Sequence, residues 1–291
     1  MPASVDLLPP YLAPSLDTKS RSWRALKSLQ RFDISQIAPK PTLADPVDQV
    51  GAGLQITPNA SRLFRLWGVD KELAELAAEP KTLTVHRYAD GKILAHDSLY
   101  DKRMRKLYGA PFLDLHRVDL QQVLARRARE LGAQIQLNAR VTSIDFDVPK
   151  IVTATGDEYK ADLIVAADGL WSKCRECFLG TKDLPLPTGD LAYRIVLTLD
   201  QLGDHELREW ISNPAVHFWV GPEAHAVAYS MRSGTMYNIV LLVPDDLPEA
   251  VSKQKGSVEE MRKLFHGWDP MYAIEQLLSI KLEADLPLQI D

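Results

Sequence analysis

The sequence predicts an α/β unit followed by an antiparallel sheet, and three observations lead to that prediction. A helix pattern over 118–131 with one apolar face precedes short strand candidates and the apolar run 163–167, as in layered α/β units. After Pro185 and Pro187, strands separated by Gly or Pro turns favour an antiparallel sheet. With 291 residues, 46% of them hydrophobic, the chain can form one large or two modest domains.

Composition narrows the classes of partner. The net charge of −5 gives no general reason to expect nucleic acid or an anionic membrane as partner. No stretch approaches the roughly 18 apolar residues of a membrane span, and prolines break the apolar N-terminal segment, which lacks a basic start. The two cysteines, Cys174 and Cys177, argue against a disulfide framework. We therefore expect a cytoplasmic protein, without a metal site because the histidines lack ligand spacing.

The first third of the chain contains mostly helix signals. Seven prolines interrupt residues 1–50. Between them, apolar residues at helical spacing with basic neighbours predict the solvated face of one short helix or, as the alternative, a basic contact surface. Ordered structure is predicted from Gly51, and Thr57 and Pro58 are typical of the N-cap and first position of a helix that Gly68 ends. A second helix follows from Asp70, and Asp90-Gly91 predicts a hairpin over 81–94. A solvated loop explains the basic segment 102–106 as well as a phosphate site does.

The remaining elements follow from apolar periodicity. Strands are predicted over 134–137, 141–147, 151–154, 163–167, 191–199, 216–220, 226–231 and 236–243. Helices are predicted over 258–265 and 271–280, the first with Ser257 as its N-cap. The run 163–167 is expected to be a buried strand.

That apolar run ends on Asp168-Gly169, followed by Ser172 and Arg175. A strand that turns into a helix start aims backbone N–H groups at an anionic ligand in many proteins. The alternative is a structural turn in which Gly169 relieves strain and Asp168 caps the helix. Cys174 and Cys177 have the CxxC spacing of a redox pair or of half a zinc site, but no second pair completes a zinc site. The alternative is that they are two cysteines on one face of the helix after the Asp168-Gly169 turn.

Several segments together resemble the class A flavoprotein monooxygenases, particularly the salicylate-hydroxylase-like aromatic hydroxylases. The matching segments, in the family's order, are Gly51-Ala52-Gly53-Leu54-Gln55-Ile56, Leu115-His116-Arg117, Ala161–Arg175, Ala192-Tyr193-Arg194, His225–Gly234 and Trp268-Asp269-Pro270. The resemblance implies an FAD-dependent enzyme that uses NADPH or NADH and O2 to hydroxylate a small aromatic or related substrate. It implies a discontinuous FAD-binding-like domain, 1–80 and 112–184, and a substrate domain, 81–111 and 185–291, and it allows a homo-oligomer.

The resemblance also assigns roles to individual residues. Ala52, Arg117, Asp168 and Gly169 are expected to contact the cofactor. The alternative for Arg117 is a surface arginine at a helix N-terminus, and the alternative for Asp168-Gly169 is the structural turn described above. Two residues of the predicted sheet, Arg194 and Tyr229, are expected to face the substrate, Arg194 to orient it and Tyr229 to relay a proton. An ordinary strand arginine and a half-buried tyrosine are the alternatives.

The sequence departs from the family at three places. Ile56 stands where the third glycine of G-x-G-x-x-G is expected, so the Rossmann-like unit is incomplete. Ser230 replaces the proline after Tyr229, and no later Gly-Asp motif follows. We therefore expect weak or no FAD binding by this chain. The alternative function is that of a truncated or inactive relative that binds an aromatic ligand or a partner without turnover.

Overall fold

The computed structural model describes residues 53–246, 254–255, 257–269 and 289–290. The helices are α1 Pro58–Trp67, α2 Asp70–Leu76, α3 Tyr100–Tyr108, α4 Arg117–Glu130, α5 Lys173–Leu179, α6 His205–Ser212 and α7 Val258–Leu264. The strands are β1 Gly53–Ile56, β2 Thr82–Arg87, β3 Ile93–Asp97, β4 Leu113–His116, β5 Val141–Asp145, β6 Lys150–Thr153, β7 Glu158–Lys160, β8 Asp190–Thr198, β9 Ala215–Val220, β10 His225–Met231, β11 Met236–Pro244, β12 Gln254–Lys255 and β13 Gln289–Ile290.

The largest sheet has eight strands in the order β12-β13-β8-β11-β10-β9-β2-β3. Within it β2 runs parallel to β9, and the other neighbours are antiparallel. The antiparallel strands predicted after Pro185 are confirmed as β8 to β11. The predicted hairpin is confirmed as β2 and β3, which join this sheet although β2 pairs with β9 residues 133 positions later, such as Thr82 with Ala215.

Strand alternation gives the large sheet two different faces. One face packs Tyr193, Trp219 and Tyr237 against α6 and α7. The Trp219 indole donates a hydrogen bond to Asp269 Oδ2 at 2.6 Å, which ties the segment after α7 to this core. The other face carries Val216, Tyr229 and Met231 and lies toward β1 and β4.

Strands β1 and β4 form a separate two-stranded antiparallel ladder. Its apolar side packs Ile56, Leu113 and Leu115 against α1, α2 and α4. Helix α1 begins at Pro58 and ends at Gly68, whose φ of 72° is left-handed, so both predicted boundaries are confirmed. The predicted helix over 118–131 is confirmed as α4.

Strands β5, β6 and β7 form a third, antiparallel sheet. The predictions nearby are partly wrong: residues 134–137 and 163–167 are not strands, and Leu163 and Val165 are 61% and 67% exposed. A central strand needs hydrogen-bonded neighbours, and no described strand pairs with 163–167. The basic segment 102–106, predicted as a loop, lies in α3, a helix without buried residues. The predicted helix over 271–280 lies outside the described residues.

Two further properties concern the described part of the chain. None of its helices is long and apolar enough to cross a membrane. It contains no group of three or more His, Cys, Asp or Glu side chains that could hold a metal ion.

Candidate functional site

A polar layer lies between the β1–β4 ladder and the large sheet. The register pairs Gly53 with His116 and Gln55 with Asp114, so these four residues share one side of the ladder. The opposite side carries the apolar residues that pack on the helices. The polar side therefore faces β10 and β11.

Gly53 brings the ladder into direct contact with the sheet. Its N–H donates a buried hydrogen bond of 2.8 Å to Asn238 Oδ1 on β11. A Cβ at this position would lie 2.6 Å from the Tyr229 hydroxyl and 2.7 Å from Asn238 Cγ. Any side chain would collide with both residues, so the close approach requires glycine.

Tyr229 lies at the centre of this layer. It is 4% exposed and sits opposite Asn238 in the β10–β11 pair. Burial, and then the neighbouring Asp114 carboxyl, raise the pKa of its phenol, while Arg194 and Arg117 act in the lowering direction. The phenol therefore keeps its proton at neutral pH and can donate a hydrogen bond.

Arg194 shares this face of the sheet. Asn238 pairs with Val196 on β8, and Arg194 lies two residues before Val196, so strand alternation points Arg194 and Tyr229 to the same side. The structure thus brings together the two residues that the sequence predicted to face a substrate.

Asp114 is the most buried ionisable residue of the layer, at 1% exposure. Its backbone exchanges hydrogen bonds of 2.8 and 2.9 Å with Ala78, and its Oδ1 accepts one of 3.0 Å from Gln55 Nε2. Its Oδ2 has no partner among the described residues. Burial raises the pKa of this carboxyl well above its usual range, and the hydrogen bond from Gln55 opposes the rise only in part.

Arg117 occupies the first position of α4, next to the layer. Its side chain is exposed, and it forms no hydrogen bond or ion pair with any residue in the described ranges. A cation at a helix N-terminus opposes the helix dipole, so helix stability does not explain its place. A guanidinium beside the N–H groups of a 14-residue helix is suited to binding an anion.

Asp168 and Gly169 lie at a different place, in a groove of about 560 Å³ lined by β5, residues 162–169 and α5. Asp168 Oδ1 accepts a hydrogen bond of 2.5 Å from Ser172 Oγ, and its Oδ2 accepts one of 2.9 Å from the Cys174 N–H. Burial works against the charged carboxylate, but these hydrogen bonds outweigh it and lower its pKa. Gly169 has a φ of 79°, which only glycine adopts without strain.

The structural alternative for Asp168 is therefore present in the molecule: its carboxylate closes the loop onto the start of α5. Neither Arg194, Tyr229 nor Arg117 lines this groove. The predicted residues thus divide between two places, and Ala52 lies outside the described residues.

The cysteines are both free thiols. Burial, and then the hydrogen bond to Asp168, raise the pKa of Cys174 to about 12. A thiol with that pKa is a poor nucleophile at neutral pH, which disfavours a redox-active pair.

Sequence reasoning missed Asp114, Gln55 and Asn238. A signal was available for two of them, because Asp114 and Asn238 are single polar residues inside the apolar strands LDLH and MYNIVLLV. Such residues need a buried partner, and that partner cannot be identified from the strand alone.

Comparisons with known proteins place this geometry in a family. Residues 45–273 match a family model described as an FAD binding domain. The chain is 49% identical over 233 residues to the FAD-dependent monooxygenase OpS4 of Beauveria bassiana, covering 78% of this chain and 54% of that protein. It is 30% identical over 230 residues to 3-hydroxybenzoate 6-hydroxylase of Polaromonas naphthalenivorans, covering 78% of this chain and 56% of that protein. The chain thus spans about half the length of these curated relatives.

Solved structures show the same fold. Klebsiella pneumoniae HpxO, complexed with FAD and uric acid, aligns with a TM-score of 0.65 at 18% identity, over 80% of this chain and 57% of that one. CtdE, in complex with FAD and a substrate, aligns with a TM-score of 0.71 at 19% identity, over 88% and 61%. A salicylate hydroxylase substrate complex aligns at 0.62 and 19% identity, over 82% and 60%. The family resemblance and the predicted fold class are confirmed: this chain belongs to the FAD-binding-domain family of the class A flavin monooxygenases.

Proposed function

We propose that this protein is an FAD-dependent monooxygenase that hydroxylates a small aromatic substrate, with NADH or NADPH as the reductant. The observation that carries the proposal is the position of Arg117, a cation at the start of α4 that has no hydrogen-bond or ion-pair partner among the described residues, beside the face that carries Tyr229 and Arg194. A charged cofactor and an aromatic substrate would meet at this boundary between ladder and sheet.

The described residues fit the charged part of FAD. The Arg117 guanidinium and the N–H groups of α4 would hold an anionic oxygen of the cofactor. Asp168 uses one acceptor site on each carboxylate oxygen within its own loop, and a carboxylate has about four such sites, so it could also accept from a cofactor hydroxyl. Ala52 and Gly169 are proposed to permit close approach of the cofactor to the backbone.

Bound FAD supplies the chemistry that takes two electrons from NAD(P)H and activates O2, so that one oxygen atom enters the substrate and the other leaves as water. The protein's own residues position the substrate. Arg194 would pair with a phenolate or carboxylate oxygen. Tyr229, which keeps its proton, would donate a hydrogen bond to a substrate oxygen and return the proton it releases. The burial of Tyr229 excludes water from this hydrogen bond.

We also propose which segments of the chain bind the substrate and which bind the cofactor. Residues 81–111 and 185–291 would form the substrate unit, supported by the pairing of β2 with β9 in one sheet. Residues 1–80 and 112–184 would form the cofactor unit. The two free thiols, Cys174 and Cys177, support a reducing cytoplasmic compartment.

Titration of the full chain with FAD tests the proposal directly. Flavin fluorescence and visible absorbance would measure affinity in the wild type and in Arg117→Ala, which should bind FAD at least about tenfold more weakly because one charge-assisted contact is lost. Arg129→Ala, an exposed arginine at the other end of the same helix, is the matched control and should leave affinity unchanged.

Turnover is then measured as NADH or NADPH oxidation and product formation with 3-hydroxybenzoate as the probe. Arg194→Ala should lower turnover while FAD stays bound; loss of FAD in that variant would contradict the assigned role. A wild-type chain that never binds FAD would support the expectation of weak binding and favour the alternative, a relative that binds a ligand without turnover.

A further inference from the structure

We propose that the basic segment 19–31 docks on the acidic, apolar groove between β5 and α5 and forms an interface within the same chain. The occupant is a segment of this chain that lies outside the described residues. The inference goes beyond the proposed function, because it assigns a partner to a surface that turnover does not account for.

The groove has an apolar wall that is left open to solvent. Its volume is about 560 Å³. Phe146 and Phe178, which line it, meet edge to face with 5.9 Å between their ring centroids, yet they are 56% and 75% exposed. Leu163, 61% exposed, adds to the same wall. Exposed apolar patches that adjoin one another mark interaction sites.

The chain that lines the groove from 162 to 167 is covered on one side only. Ile164 packs toward Val141 and Ile151, whereas Leu163 and Val165 are exposed. No backbone hydrogen bond joins 162–167 to another residue in the described ranges. An apolar element that lies on the open side would therefore bury side chains that no described helix or strand covers.

The groove also carries an excess of negative charge. Asp145, Asp162 and Asp168 line it with one cation, Arg175, whose Nε pairs with Asp183 at 2.7 Å. Asp162 is exposed and forms no ion pair with a described residue. Docking requires no contact with Asp168, which is bonded within its own loop. The occupant that fits is apolar on one side and cationic beside it.

Segment 19–31 has that chemistry in its sequence. It contains five basic residues, and no acidic residue occurs from 18 to 32. Trp23, Leu26 and Leu29 recur at the spacing of one helix face. Lys27 follows Trp23 by four positions, so in a helix it borders that apolar stripe. An amphipathic helix of this kind lays its apolar face into a groove, and tryptophan is a favoured anchor.

The connection to β1 is long enough for this contact. The residues between Arg31 and Gly53 can span up to about 70 Å when extended, so the segment can reach the groove from the start of β1. Because it is tethered, the segment also acts at a high effective concentration.

A second copy of the chain is the less suitable occupant. A symmetric dimer through this groove would place the same patch against itself. Asp145 and Asp162 would then face their own counterparts, and like charges at close range oppose such a contact. The basic segment meets these carboxylates with the opposite charge.

Limited trypsin digestion of the full chain tests the inference, because trypsin cuts after the basic residues of the segment. Mass spectrometry of the fragments gives the cleavage rate within 19–31. Phe178→Ser should raise that rate about tenfold or more, because a large apolar contact is lost. Asp162→Asn should raise it about threefold. Leu66→Ser, at a position 79% exposed on α1, and Asp190→Asn, exposed at the start of β8, are the matched controls and should leave it unchanged.

Hydrogen exchange gives a second readout from a variant that leaves the groove itself intact. Trp23→Ser should speed amide exchange in 162–167 about tenfold, because the cover over these residues is lost. Exchange in β8 to β11 should stay as in the wild type, which shows that the large sheet is folded.

Three results would overturn the inference. The first is equal cleavage within 19–31 in the wild type and Phe178→Ser, and the second is exchange in 162–167 that Trp23→Ser leaves unchanged. The third is a cleavage rate that falls as the protein concentration rises, because protection by a second copy depends on concentration and docking within one chain does not. Neither readout requires bound FAD or turnover, so the proposed function is tested separately.

Discussion

The ion pair between Arg232 and Asp119 joins the two sides of the candidate site, and its removal gives a sharp prediction. Arg232 Nε and Nη2 donate hydrogen bonds of 2.7 Å each to the two oxygens of Asp119. Arg232 lies in the turn Arg232–Gly234 that follows Tyr229 on β10, and Asp119 lies in the first turn of α4, two residues after Arg117. The pair therefore sets the distance between the helix start and the substrate face.

The structure gives the size of this interaction. Only 9% of the Asp119 side chain is exposed, so removing its partner leaves a nearly buried carboxylate. Hydrogen bonds to charged groups contribute about 1.5–3 kcal/mol. Because 40% of the Arg232 side chain is in solvent, screening reduces that range. We expect about 1–2 kcal/mol of coupling between the two side chains.

A double-mutant cycle with Arg232→Met and Asp119→Asn measures this coupling from urea unfolding at low and high salt. Methionine keeps the aliphatic stem of Arg232, so the loss reports the charge. The exposed pair Arg126 and Glu130, 3.9 Å apart, is the control, and about 0.3 kcal/mol is expected there. Coupling of less than about 0.5 kcal/mol between Arg232 and Asp119 would refute the reasoning.

Two further predictions concern buried contacts. Burial, and then the neighbouring His86 and His96, lower the pKa of His217 to about 3, so unfolded protein binds more protons below an unfolded pKa of about 6.5. The contribution of His217 to the free energy of unfolding should thus be full above pH 6.5 and fall toward pH 3 by up to about 1.4 kcal/mol per pH unit. The urea midpoint of His217→Phe should therefore fall less with decreasing pH than that of the wild type. Equal dependence of the two midpoints on pH would contradict this. Gly53→Ala should destabilise by about 1–3 kcal/mol, because its Cβ would meet the Tyr229 hydroxyl at 2.6 Å. Gly203→Ala, where nothing lies within 4 Å, is the matched control in the same unfolding assay, and equal losses would refute the steric account.

The elements that the sequence predicted correctly are those whose ends are marked by proline or glycine. Pro58 and Gly68 set the ends of α1 because proline suits a helix start and Gly68 adopts a left-handed φ. Asp90 and Gly91 set the β2–β3 turn in the same way, with Gly91 at a φ of 68°. These signals act through the backbone of a few neighbouring residues, so no distant contact can override them easily.

The run 163–167 was predicted wrongly because its signal is not local. An apolar stretch indicates burial, but burial as a central strand depends on neighbouring strands that come from elsewhere in the chain. Composition cannot show whether those neighbours are in place. The exposed Leu163 and Val165 show that hydrophobicity alone does not make a strand.

The sequence predicted some residues of the candidate site and missed others, because some of its contacts join distant parts of the chain. Arg194 and Tyr229 followed from family motifs, and strand register places them on one face. Asp114 and Asn238 could not be predicted as a pair, because the contact that orients Asn238 joins residues 185 positions apart. Only the fold shows that Asp114 and Asn238 lie in one layer.

Asp168 and Arg117, two residues that the family resemblance assigns to the cofactor, differ in what their replacement would do to the protein itself. Asp168 already satisfies the Ser172 hydroxyl and the Cys174 N–H, so its replacement would first loosen the start of α5. A loss of FAD in an Asp168 variant could then follow from that loosening alone. Arg117 has no partner among the described residues and opposes the dipole of its own helix, so its removal should cost no stability. Any loss of cofactor affinity in Arg117→Ala therefore reports binding itself, which makes Arg117 the residue on which the cofactor assignment can be decided.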